Sequence, residues 1–172
     1  APLSTFDTDD ERWTVAGGGL GMSGPVVWNA DGGSPDGYVS AIGTGAWYWL
    51  APPSFLGDAS AAYGRTLQFD VHHNQPALNC VDAEDLVVLN GGGYEIYYDG
   101  PYKPDTLWTN YAVRLSEAEA WYHGTTRRPV TRLEMQAVLA DLSQLRIRGG
   151  FVNCGREEDF GGGLDSVMVE TE

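Results

Sequence analysis

The sequence predicts an all-β fold, and three features predict it. The chain holds 23 glycines spread between short apolar runs. Aromatic residues make up 12% of it, and several of the runs alternate apolar with polar residues, the period of a strand with one face in a core. A chain of 172 residues with 42% hydrophobic content is enough for one core. Residues 1–172 are therefore read as one domain.

Taken in order, Arg12 to Val15 and Val26 to Trp28 are strand-like and are separated by the glycine-rich stretch 17–24. No helix with a suitable lysine or acidic residue follows those glycines, so they form a loop and not a phosphate cradle. Leu67, Phe69 and Val71 alternate with Gln68, Asp70 and His72 as a half-buried strand, and Leu86 to Leu89 is continuously apolar, as a strand covered on both faces is. The Gly91-Gly92-Gly93 turn then leads to Tyr94–Tyr98 as the partner of a hairpin, and Tyr111 to Leu115 reads as a further strand. Thr131-Arg132-Leu133-Glu134 is a capping box. With Met135, Val138, Leu139, Leu142 and Leu145 at spacings of three and four, it predicts one short helix near 131–145. Leu145 to Arg148 resumes alternation, residues 153–163 form a polar, glycine-rich loop, and Val167 to Val169 is a last strand.

A net charge of −14 disfavours nucleic acid and anionic membrane surfaces as partners. The ten basic residues are unevenly placed: up to residue 100 there are only Arg12 and Arg65, so a local basic patch is confined to the second half. No apolar run approaches 18 residues, so no membrane insertion is expected, and the start shows no basic-then-apolar leader. Cys80 and Cys154 flank strand-like runs far apart in sequence. They are either bridged in an oxidising compartment, for about 4 kcal/mol in the chain-entropy model, or two free thiols.

The run Trp47-Tyr48-Trp49-Leu50-Ala51-Pro52-Pro53-Ser54-Phe55-Leu56-Gly57-Asp58, followed by Tyr63 to Leu67, resembles the laminin B domain (laminin domain IV type A). The resemblance continues through Asp85 to Leu89, Val113 to Leu115, Trp121, Arg128 to Arg132, the helix, Ile147-Arg148 and Gly163 to Val167. It implies a jelly-roll β-sandwich of the galactose-binding-like and carbohydrate-binding-module kind, secreted or extracellular, without catalytic residues. Without flanking cysteine-rich modules, a secreted microbial member is expected.

Two kinds of site are expected. If the first and last strands pair, Asp7 and Asp165 approach each other, and the loop carrying Asp31 and Asp36 brings further oxygens. Hard oxygens on flexible loops suit a structural Ca²⁺, although Asp and Gly also favour turns for backbone reasons alone. Sugars stack on exposed aromatic rings while neighbouring polar groups fix their hydroxyls, which singles out Trp108, Tyr102, Tyr97, Trp47 and Trp49. Trp47 and Trp49 share one strand face and equally suit a core, whereas Tyr102 and Trp108 lie in a loop, where binding residues concentrate. His72 and His73 point to opposite faces and are expected at the surface rather than on a metal. No serine elbow, zinc helix or cysteine–histidine signature is present. The function that emerges is a non-catalytic module that binds a glycan or polysaccharide, with a structural or adhesive spacer contacting extracellular protein as the alternative.

Overall fold

The computed structural model describes residues 1–17, 22–76, 84–124, 126–151 and 159–172. Cys80 and Cys154 lie outside these residues. The chain forms β1 (Leu3–Ser4), β2 (Thr14–Gly17), β3 (Met22–Pro25), β4 (Val27–Asn29), β5 (Tyr38–Thr44), β6 (Trp47–Leu50), β7 (Thr66–His73), β8 (Val87–Gly91), β9 (Tyr94–Tyr98), β10 (Thr109–Arg114), β11 (Trp121–His123), α1 (Arg132–Ala140), β12 (Leu142–Arg148) and β13 (Asp159–Val169). Two antiparallel sheets pack as a β-sandwich. One runs β10-β7-β13-β5-β4, with β1 also on β13, and the other runs β11-β9-β8-β12-β6-β2-β3.

Alternation decides what each sheet buries. On β7, Leu67, Phe69 and Val71 enter the core, as expected, but so does His73, which is 1% exposed and not at the surface. Its ring lies between Phe151 and Phe160, at centroid distances of 4.9 and 4.4 Å, and neither ring nitrogen has a hydrogen-bond partner among the described residues. Leu86 to Leu89 are all buried. Leu86, Val87 and Leu89 join the core, whereas Val88 points away from it and is covered on the opposite face of the sheet.

Gly92 and Gly93 take positive φ, as the tight β8–β9 turn requires, and a Cβ on Gly92 would strike the Ala137 carbonyl of α1. Trp47 packs edge-to-face on Trp49 at 4.9 Å and lies so close to Gly149 and Gly150 that a Cβ at either would overlap its ring.

Two further expectations change. The helix begins where the capping box places it, with Thr131 Oγ1 accepting from the Glu134 amide and the Glu134 carboxylate accepting from the Thr131 amide. It ends at Ala140 rather than near 145. Asp141 leaves helical geometry, and Leu142 and Leu145 are buried as residues of β12, where pairing with β8 satisfies their backbone. The expected loop to Gly163 is also cut short, because β13 starts at Asp159: Gly161, Gly162 and Gly163 pair with Ile42, Ala41 and Ser40 of β5. These glycines are tolerated in a central strand because their neighbours use the space. A Cβ on Gly161 would meet the Asn74 amide, and one on Gly163 the His72 and Tyr38 rings.

Candidate functional site

Strand register builds a polar-aromatic row on the outer face of the seven-stranded sheet. Tyr122 stands opposite Tyr97, Tyr97 opposite Val88, Val88 opposite Arg146, and Arg146 opposite Leu50. Strands spaced about 4.8 Å apart carry this row across β11, β9, β8, β12 and β6. Tyr48 lies on the same face, two residues from Leu50.

A hydrogen-bonded network fixes these side chains. Glu95 accepts from the Tyr97 hydroxyl, from Asn90 Nδ2 at 2.8 Å and from Arg146 Nη2 at 2.8 Å. The Arg146 guanidinium sits 5.2 Å from the Tyr48 ring centroid, a cation–π contact, and its Nε has no acceptor among the described residues. Burial opposes the charge on Glu95, but the bonds from Tyr97, Asn90 and Arg146 outweigh it and hold the carboxyl below its ordinary range. Burial, then the Glu95 bond and charge, push the Tyr97 hydroxyl up to about 12, so it is a donor at any physiological pH. Gly124 lies against the Tyr97 ring, where a Cβ would come within 2.9 Å of Cε2.

The outer face of the six-stranded sheet is organised differently. His72 on β7 and Tyr38 on β5 flank Gly163, and Trp108 packs edge-on against both at 4.4 and 5.4 Å. The Trp108 indole N–H donates to the Gly32 carbonyl at 3.0 Å, tying the 31–37 loop to the segment before β10. Tyr102 stacks on Tyr111 at 4.8 Å, donates to the Asn110 carbonyl and remains 48% exposed. Beneath the 31–37 loop, Asp165 is wholly buried and accepts from the Ser34 and Ser166 amides at 2.5 and 2.6 Å. Burial, with the charges of Asp70 and Asp7 pushing the same way, raises its carboxyl to about 6. On the flank of Gly33 the Asp36 and Gly37 carbonyls converge with Asp165 Oδ2. Among the described residues no three His, Cys, Asp or Glu side chains are placed to share a metal ion. Elsewhere, a mainly apolar cavity of about 110 Å³ beside α1 is lined by residues such as Phe55, Leu139 and Leu145, with Ser54, Asp58 and Thr171 as its polar side chains.

The model of the Laminin B (Domain IV) family matches residues 48–168, well over half of the chain. The chain belongs to this family. Over 98% of its length this laminin B domain is 29% identical to laminin subunit gamma-1 of Xenopus tropicalis, of which it covers 10%. Over 59% of its length it is 36% identical to the basement membrane-specific heparan sulfate proteoglycan core protein of Mus musculus, covering 3% of that protein. The chain thus spans about a tenth or less of these relatives. Among solved structures, the L4b domain of human laminin alpha-2 superposes with a TM-score of 0.73 at 16% identity, covering 99% of this chain and 98% of that one. A family 11 carbohydrate-binding module from Clostridium thermocellum, in complex with a β-1,3-1,4-mixed-linked tetrasaccharide, gives 0.56 at 13% identity over 96% and 93%. Both likenesses establish the fold. No helix among the described residues is long and apolar enough to cross a membrane.

In this laminin B domain the five aromatic residues expected to bind ligand do not form one site. Trp47 and Trp49 are 0% exposed and leave the set, because their strand face is the core face. Tyr102 and Trp108 belong to the six-stranded side and Tyr97 to the other. Of the expected acidic ligands, Asp165 is buried beneath the 31–37 loop, while Asp7, Asp31 and Asp36 are exposed. Sequence reasoning missed Tyr48, Tyr122, Asn90, Glu95 and Arg146. Alternation already set Tyr48 apart from Trp47 and Trp49, but joining it to Tyr97 needs the order of strands in the sheet.

Proposed function

We propose that this laminin B domain is a non-catalytic extracellular module that binds a glycan on the outer face of its seven-stranded sheet. The observation that carries the reading is the fixed row of Tyr122, Tyr97 and Arg146 with Glu95 and Asn90 beside it. Adjacent aromatic rings offer stacking surface, and the carboxylate, amide and guanidinium offer acceptors and donors for hydroxyls already held in place. The extracellular setting is supported by relatives named as laminin subunits and basement membrane proteins. The test is retention on a glycan and polysaccharide array. Tyr97→Ala should weaken retention at least about tenfold, the loss of one good stacking contact, while Trp108→Ala, on the opposite sheet, leaves it within about twofold. Absence of retention with the fold intact would return the domain to the alternative reading, a spacer that contacts protein.

The buried acidic corner supports a second element of this reading, a structural Ca²⁺ held by Asp165 with neighbouring carbonyls, to which Asp7, Asp31 and Asp36 are the candidate additions. A carboxylate that is buried, and raised to about 6 by that burial and by like charges, fits a hard cation in kind. Bound cation would neutralise this charge and hold the 31–37 loop against β13. Adding calcium to chelator-treated protein at pH 7 should raise the melting temperature by about 4 °C or more and leave Asp165→Asn unmoved. An unchanged wild-type melting temperature would discard the site.

A further inference from the structure

The charges on the seven-stranded face narrow the class of ligand. Resting on the glycan reading of this face, we infer that the ligand is a neutral polysaccharide and not one bearing uronate or sulfate groups.

Among the described residues three arginines stand on the face or at its rim, and each is already engaged. Arg146 donates to Glu95 at 2.8 Å and to Asn90 Oδ1 at 3.3 Å. Arg148 is 6% exposed, with Nη1 on the Glu84 carbonyl at 2.7 Å and Nε on the Gly150 carbonyl at 2.9 Å. Arg127 pairs with Asp85, Asp99 and Glu84 at 3.1 to 3.4 Å, and Asp85 lies close enough to Tyr48 and Tyr97 for its charge to act on both hydroxyls. Four carboxylates, on Glu84, Asp85, Glu95 and Asp99, therefore face three guanidiniums. An anionic sugar reaching Arg146 stands beside the Glu95 carboxylate that already holds this guanidinium and is repelled by it and by the three other carboxylates, against a chain of net charge −14.

A neutral sugar meets no such cost. Its hydroxyls donate to Glu95 and accept from Asn90 and Arg146 without breaking the Glu95–Arg146 pair, and its apolar ring face lies against Tyr97 and Tyr122.

Affinity electrophoresis of the wild-type domain tests this in gels containing neutral β-glucan, xylan or galactan, and in gels containing polygalacturonate or heparin. Runs at about 50 and about 500 mM NaCl separate screened from unscreened interactions. The expected result is retardation by at least one neutral polymer, with an apparent Kd that changes less than about twofold between the two salts, and none by either anionic polymer. Retardation by an anionic polymer that disappears at high salt, or equal retardation by both kinds, overturns the neutral-ligand inference while leaving the glycan reading intact. No retardation by any polymer, with an unchanged melting temperature, overturns the glycan reading and this inference with it.

Discussion

Two buried ionisable residues, His73 and Asp165, tie the stability of the domain to pH with opposite signs. Burial, with the charge of His72 adding to it, lowers the His73 imidazole from 6.5 to about 3. A lowered pKa in the folded state means its contribution is fully present above pH 6.5 and is lost as pH falls towards 3, for about 5 kcal/mol across the whole window. His73→Leu should therefore lose less melting temperature than the wild type between pH 7 and pH 4; equal losses would show that the ring is solvated. Asp165 runs the other way. Its pKa is raised from 3.8 to about 6, so its contribution is complete below 3.8 and falls away as pH climbs through 6, for about 3 kcal/mol. In chelator, Asp165→Asn should gain on the wild type as pH rises from 4 to 7, a trend that paired urea titrations would expose and that a solvated Asp165 would not show.

At the scale of elements, Glu134 organises the start of α1. Its carboxylate accepts from Arg128 at 2.7 Å, from the Thr131 amide at 2.9 Å and from His123 at 3.0 Å. The Arg128 bond leads the interactions that hold it well below the usual carboxylate range. Thr131→Ala removes the cap for about 1 kcal/mol, measurable as a shifted urea midpoint at unchanged slope. Glu134→Ala should cost more, since it strands the Thr131 amide as well as the Arg128 and His123 side chains. This start was legible because a capping box is a local pattern, and so were β7, β8 and the β8–β9 hairpin, where alternation, an apolar run and a glycine turn are all contiguous. The end of α1 was not. Leu142 and Leu145 suit a helical stripe and a strand equally, and pairing with β8, a long-range event, decides between them. The first half of β13 was hidden for another reason: glycine carries no side chain to alternate, so Gly161 to Gly163 read as a loop although they sit between β5 and β7.

The whole molecule presents two outer faces with different chemistry, one carrying Tyr97, Tyr122 and Arg146, the other Tyr38, His72 and Trp108 over the Asp165 corner. Neither was legible as a face. Aromatic residues could be found in the sequence, but whether each lay in the core or outside it depended on the phase of its strand, which placed Trp47 and Trp49 inside and Tyr48 between them outside. The core itself is exacting at this scale, since the Trp47 ring occupies the space of a side chain at both Gly149 and Gly150. Gly149→Ala should destabilise the domain by about 2 kcal/mol or more through overpacking, seen as a lower melting temperature. The claim that the seven-stranded face is the binding face is tested most directly by recording amide NMR spectra of the domain as it is titrated with a neutral oligosaccharide that it retains. Binding on this face gives shifts concentrated at Asn90, Glu95, Tyr97, Tyr122 and Arg146, with Tyr102 and Trp108 unmoved. Shifts centred on Tyr102, Trp108 and His72 instead would contradict it.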